Sequence, residues 1–227
     1  MENIKLDTYK LLYFDKISST QDMAHDLIAN HTVSNKSVIV ANTQTNGHGR
    51  YNRNWISKPG NLYASFVYQI SERNPKLSYA VAVAVAETLM TFGLKPQIKW
   101  PNDILIKDKK ISGILIEYSL NFVIVGIGIN IKHCPQNLDY KTAKISDFVK
   151  DVSVQNVLSV LIKNLDKWRN ADFSIVRERW MDMATGINKI IKYQGKDALL
   201  IGLNEDGALV LRCGANYLLT YGDEISL

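Results

Sequence analysis

The chain has 227 residues, 46% hydrophobic and 22% charged, which suffices to bury one large domain, or a medium domain and a small one, and matches an ordinary globular fold. No apolar run reaches the roughly 20 residues that span a bilayer, the most apolar stretch, 122–131, being broken by Gly126 and Gly128; the N-terminus carries neither a leader nor a transit composition, so the chain reads as cytoplasmic with no membrane partner. The two cysteines, Cys134 and Cys213, lie too far apart for a metal-ligand pair or a redox motif, and the net charge of +5 suits nucleotides, nucleic acids and acidic proteins alike.

In chain order, a helix is predicted to start at Ser18-Ser19-Thr20-Gln21-Asp22, with a small hydroxyl as N-cap and Asp22 near the positive end of the helix dipole. Met23 with Leu27 and Ala24 with Ile28 give it an apolar stripe. Val38-Ile39-Val40-Ala41 reads as a short buried strand. Across 42–61 the apolar periodicity disappears while glycine, asparagine and arginine accumulate, marking a long loop of a kind that is rare without a function. A strand follows over 62–70. The segment 77–92 alternates valine and alanine like a strand, but its length, its alanines and the stop at Gly93 favour a helix. Strands over 97–100, 104–107, 111–120 and 122–131, with turns at Pro101-Asn102-Asp103, Asp108-Lys109-Lys110 and Asn121, predict a run of hairpins.

Val154, Val157, Leu158, Leu161, Ile162, Leu165 and Trp168 keep the helical period and predict a long amphipathic helix, with a second helix over 173–183. Past Gly186 come five short strands, 189–193, 198–203, 208–212, 217–221 and 224–227, which predict a small barrel. The domain boundary is placed at residue 184, giving units 1–184 and 185–227.

Two constellations carry chemistry. In the loop, Gly47 and Gly49 let main-chain N–H groups approach an anion, Arg50 and Arg53 supply bidentate charge, and Trp55 offers a face for a base. Together these describe a site for a nucleotide and an acid; a solvated basic loop with one tucked tryptophan is the plainer alternative. Lys99-Trp100-Pro101-Asn102-Asp103, followed by Lys110 and Ser112-Gly113, places polar heads around a proline-fixed turn at one sheet end, where ligands usually lie. Here the alternative is an ordinary charged hairpin, with Lys109-Lys110 a solvated pair. Gly126-Ile127-Gly128 lies inside a strand with no helix after it, which argues against a dinucleotide fingerprint. Of the four histidines only His48 sits in a site-like context, and no nucleophile with a partner base appears.

These elements, Ser18-Ser19-Thr20-Gln21, Gln44 with Gly47-His48-Gly49-Arg50 through Trp55, Lys99-Trp100-Pro101-Asn102-Asp103, the string from Lys110 to Glu117, Val125 to Asn130 and the terminal Gly222 to Leu227, resemble in order and spacing the biotin–protein ligases. The resemblance implies an α+β fold: a mixed-sheet catalytic domain with flanking helices, related to class II aminoacyl-tRNA synthetases and lipoate ligases, and a C-terminal SH3-like β-barrel. It implies that Ser19, Thr20, Gln21 and Gln44 meet the ureido head and ring of biotin, and that Gly47, His48, Gly49 and Arg50 form a flexible loop closing over it. Lys110 would lie by the biotin carboxyl and the α-phosphate; Trp55, Asn102 and Asn130 would serve the adenine and ribose; Lys99, Asp103 and Arg53 would serve the phosphates of ATP and their Mg2+, with Asp103 the candidate metal ligand. Gly113 belongs to the same motif.

The family loop usually reads Gly-Arg-Gly-Arg-x-Gly-Arg, so His48 replaces its first arginine and Asn52 its later glycine. If position 48 acts through its backbone nothing is lost, and that is the expectation; if through charge, affinity becomes pH-sensitive in the range where histidine titrates. Some family members carry an N-terminal DNA-binding domain, which the residues ahead of Ser18 are too few to form, so no DNA partner is expected. The activity implied is ATP-dependent formation of biotinyl-5′-AMP and transfer of biotin to a lysine of a biotin carboxyl carrier protein or domain, with Arg50 and Lys110 supplying fixed charge where negative charge builds up. A lipoate–protein ligase is the nearest alternative and a non-catalytic nucleic-acid binder the more distant one. The identity of the carrier, the order of substrate binding and a homodimer formed through an exposed sheet edge stay open.

Overall fold

The computed structural model describes residues 2–6, 8–136, 138–221 and 225–226. Eight strands form one mixed sheet, β1 (Glu2–Leu6), β2 (Tyr9–Ile17), β3 (Ser37–Gln44), β4 (Leu62–Gln69), β5 (Pro96–Lys99), β6 (Asp103–Ile106), β7 (Lys109–Ser119) and β8 (Phe122–Ile129), in the spatial order β1-β2-β3-β4-β8-β7-β6-β5. Among the described strand pairs of this sheet only β2–β3 is parallel, and α1 (Thr20–Ala29) makes that crossover. Parallel neighbours need such a connection, whereas the antiparallel run from β5 to β8 closes through tight turns. The hairpins predicted over this segment are present.

The first two strands are absent from the sequence-based reading, which begins at Ser18: β2 mixes buried Tyr9, Leu11 and Leu12 with half-exposed residues and lacks a clean alternation. One predicted turn is corrected. Lys109 and Lys110 are strand residues; the left-handed turn falls on Lys107 and Asp108, at φ 50° and 59°. The register slips by one residue between Ile104 and Leu105, and that bulge redirects the start of β7.

Two helices cover one face of the sheet: α2 (Leu77–Thr91), buried along most of its length, and the amphipathic α3 (Val154–Arg169), which packs on it. On the opposite face α1 crosses β3, β4 and β8. The site lies on that same face, over Gly113 of β7 and Gly126 and Gly128 of β8. After α4 (Phe173–Met183) the chain forms an all-antiparallel five-stranded sheet, β9 (Ile190–Tyr193), β10 (Lys196–Leu203), β11 (Leu209–Cys213), β12 (Asn216–Thr220) and β13 (Ile225–Ser226), ordered β12-β11-β10-β9-β13 and compatible with the SH3-like barrel. The terminal Gly222-Asp223-Glu224 and Leu227 lie outside the described residues. No helix among the described residues is long and apolar enough to cross a membrane.

Candidate functional site

Strand alternation aims Ser65 of β4, Gly126 and Gly128 of β8 and Gly113 of β7 at the α1 side of the sheet. Gly113 pairs with Gly128, and Ser65 with Gly126, so a patch of nearly bare backbone opens between strands. Side chains from elsewhere lie directly on it. A Cβ added at Gly126 would meet the Gln21 carboxamide at 2.6 Å, and one at Gly128 would meet the Trp55 indole at 2.5 Å. The glycines of the Gly-x-Gly string therefore serve as floor.

A polar cradle stands at one end. Ser19 caps α1 by accepting from the N–H groups of Gln21 and Asp22, as predicted. The Gln44 carboxamide is fixed at both ends: its Oε1 accepts from Thr20 N at 2.8 Å and Thr20 Oγ1 at 3.1 Å, while its Nε2 donates to Ser57 Oγ at 2.9 Å. Ser65 Oγ lies 2.9 Å from both Thr20 Oγ1 and Gln21 Oε1. Ser19, Thr20, Gln21 and Ser65 are all buried, and buried polar groups held in one network are oriented before any ligand arrives.

The loop after β3 folds over this end as a narrow flap. Its base is tied by Trp55 N donating to Gly47 O and Gly49 N donating to Arg53 O, both at 2.8 Å. Its tip turns through Tyr51 and Asn52, both left-handed, at φ 55° and 57°. Asn52 stands where the family pattern has glycine, and asparagine is one of the few other residues that accept this conformation at low cost. Arg50 and Arg53 flank the Tyr51 ring, 5.5 and 5.8 Å from its centre.

Opposite the cradle, Lys110 Nζ sits 2.7 Å from Asp103 Oδ1 and 5.4 Å from the ring centres of both Trp55 and Tyr140. Its side chain is only 17% exposed, so it is no solvated surface lysine. The segment carrying Tyr140 and Lys141 is held against it, Lys110 N donating to Lys141 O and Ala143 N donating to Lys110 O. Asn102 is stitched to β7, its Nδ2 donating to Ile114 O at 2.9 Å.

These groups enclose one cavity of about 900 Å³, the size of a small-molecule site. Every predicted site residue lines it except two. Gly47 lies behind Gln44, where a Cβ would come within 2.6 Å of the carboxamide nitrogen. Asn130 is buried at the end of β8, its Nδ2 donating to Ala143 O at 3.1 Å and its Oδ1 without a hydrogen bond among the described residues. Sequence reasoning missed Ser65, Tyr140 and Lys141, and also Lys192, Gln194 and Gly195, which reach the cavity from the C-terminal sheet. Only Ser65 left a local signal, the one serine in the largely apolar strand 62–69.

Arg50, Arg53, Lys99, Lys110, Lys141 and Lys192 face the cavity, against the carboxylates of Asp103 and Asp108. Such a surplus of cations beside a neutral amide cradle fits a polyanion together with a small polar acid. Among the described residues no three histidine, cysteine or acidic side chains converge as a metal site.

This fold and this cavity place the chain in a known class: residues 13–132 match the Biotin/lipoate A/B protein ligase family, and the chain belongs to that family. Among its relatives, the bifunctional ligase/repressor BirA of Bacillus subtilis is 30% identical, covering 96% of this chain and 74% of that protein. The biotin–[acetyl-CoA-carboxylase] ligase of Mycobacterium tuberculosis is 26% identical, over 84% of this chain and 79% of its own length. The biotin protein ligase of Aquifex aeolicus, solved in complex with biotin and ATP, superposes with a TM-score of 0.83 at 28% identity, covering 95% of this chain and 97% of that one.

Proposed function

We propose that the protein is an ATP-dependent biotin–protein ligase that forms biotinyl-5′-AMP from biotin and ATP and then transfers biotin to a lysine of a biotin carboxyl carrier protein or domain. The observation that carries this reading is the joining, in one cavity, of the buried amide cradle around Gln44 and Thr20 with the charge at Lys110. In the first step a carboxylate oxygen bonds to the α-phosphorus and the bond to pyrophosphate breaks; in the second the carrier amine, having lost its proton, attacks the acyl carbon and AMP leaves with the bonding pair.

Two anions must meet in the first step, so the protein's task is to offset their repulsion with charge already in place. Lys110 and Arg50 do this at the reacting centre, and Arg53 and Lys99 along the triphosphate. Gln21 and Gln44, each held in one orientation, read the ureido group, which can both donate and accept hydrogen bonds. That polarity favours biotin over the apolar dithiolane of lipoate. Trp55, lying flat on Gly113 and Gly128, gives the adenine its platform. The flap shuts water out of a hydrolysable intermediate.

Asp103, paired with Lys110 at 2.7 Å, is the carboxylate that would serve as a single protein ligand to a Mg2+ carried in on the ATP phosphates, where the ion would supply charge to offset that of the phosphates. The test is incubation with biotin, ATP, Mg2+ and a biotin carrier domain, followed by mass measurement of the carrier. Addition of one biotinyl group, not competed by lipoate, is expected; modification by lipoate in its place would transfer the reading to a lipoate ligase.

A further inference from the structure

His48, the position at which the flap departs from the family's arginine, is turned inward, its side chain only 16% exposed. Its Nε2 stands 3.8 Å from Asp22 Oδ1, in the first turn of α1, and its Nδ1 stands 3.4 Å from the Asn46 carbonyl. Its backbone bridges Asn54 across the flap, and the ring spans from flap to helix. At 3.8 Å a neutral imidazole makes no hydrogen bond to a carboxylate, whereas a protonated ring is drawn to it by charge. Only the doubly protonated ring, moreover, carries an N–H towards both acceptors.

The other charged groups around this contact are engaged elsewhere or lie farther along their elements. On the flap, Arg50 and Arg53 flank Tyr51. On α1, His25 bonds Glu117 at 3.1 Å and Asp26 lies one turn beyond Asp22. On the cavity floor Lys110 is held by Asp103. Asp22 is the carboxylate that faces the ring.

We propose that His48 and Asp22 form a charge-dependent latch between flap and α1, which makes retention of the bound acyl-adenylate tighter when the imidazole is protonated. The proposal rests on the ligase reading of the cavity. The latch grips the same helical turn that carries Ser19, Thr20 and Gln21, so it pins the flap to the element that meets the acid. An arginine at this position would hold at any pH; a histidine ties closure to it.

The test preforms biotinyl-AMP on the full chain and follows its release in a chase from about pH 5.5 to about pH 8.5, the range across which histidine titrates. Release from the wild type is expected to quicken roughly fivefold with rising pH, the scale of a partly exposed ion pair. His48→Arg is expected to release slowly at every pH, and Asp22→Asn rapidly at every pH. A flat wild-type profile, or a slope that persists in both variants, overturns the latch while leaving the ligase reading intact. Failure of the wild type to form any adenylate overturns that reading and the latch with it. Asp22→Asn changes a half-exposed helix position and keeps the comparison available if His48→Arg does not fold.

Discussion

The Lys110 charge proposed to serve the chemistry is kept in place by three neighbours: the Asp103 carboxylate at 2.7 Å and the rings of Trp55 and Tyr140. Removing one preorganised donor of this kind typically costs about 3 kcal/mol, or roughly a hundredfold in rate. Lys110→Ala is therefore expected to lower biotin-dependent ATP–pyrophosphate exchange by at least about that factor, with the far-ultraviolet circular dichroism unchanged; normal exchange would remove Lys110 from the mechanism. Gly128 supports the neighbouring subsite by having no side chain. In Gly128→Ala the new methyl would fall 2.5 Å from the indole, and a rigid ring yields only by moving off the floor. The KM for ATP should rise about tenfold, since base stacking is worth about 1–3 kcal/mol; an unchanged KM would show that Trp55 is no platform. Both positions were legible as residue types, but what lies on a strand glycine was not. Tyr140, Lys141 and Ser65 join the site only through pairings that no local pattern encodes.

Glu87 shows the same economy between elements. From α2 it receives Trp168 Nε1 at 2.9 Å and Lys167 Nζ at 3.0 Å from α3, and Arg179 Nε at 2.9 Å from α4. Burial alone would raise its carboxyl, but the bonds from Lys167, Trp168 and Arg179 outweigh it and hold the group below the usual carboxylate range. A carboxyl lowered in the folded state contributes stability above its unfolded value and loses that contribution as pH falls through the folded one. Glu87→Gln should cost about 2 kcal/mol at neutral pH, the scale of charged hydrogen bonds. In urea titrations the gap from wild type should shrink towards about pH 3, below the unfolded carboxylate value; a gap independent of pH would assign the cost to packing. Of the helices that Glu87 joins, α3 was legible from its clean apolar stripe and α2 from its length, its alanines and the stop at Gly93. β2 was not, because a strand that mixes buried and half-exposed residues carries no period of its own, and the β6–β7 turn was placed one to two residues late across an unforeseen bulge.

The two units expected to divide at residue 184 share more than a linker. Tyr79 of α2 donates to Gly207 O at 2.5 Å, stacks on Trp100 and meets Trp180 edge-on, each with centroids 5.6 Å apart. Arg177 Nε donates to Leu203 O at 2.6 Å, and Thr185 N to Ile98 O at 2.8 Å. Ile191, Leu200, Leu209 and Leu211 belong to the same buried cluster as the core of the large sheet, and the turn after β9 completes the cavity wall with Gln194 and Gly195. Interfaces between domains that move independently are ordinarily small and polar, whereas this one is apolar and aromatic. The full chain should therefore unfold in urea as one cooperative step. Trp100 and Trp180, two of the four tryptophans, pack on Tyr79 at the junction, so part of the fluorescence change reports its loss, while far-ultraviolet circular dichroism reports both sheets. Coincident midpoints are expected from the two probes; an earlier fluorescence transition, with most ellipticity retained, would mean that the small sheet detaches first and that the cavity wall it supplies can open without unfolding the rest.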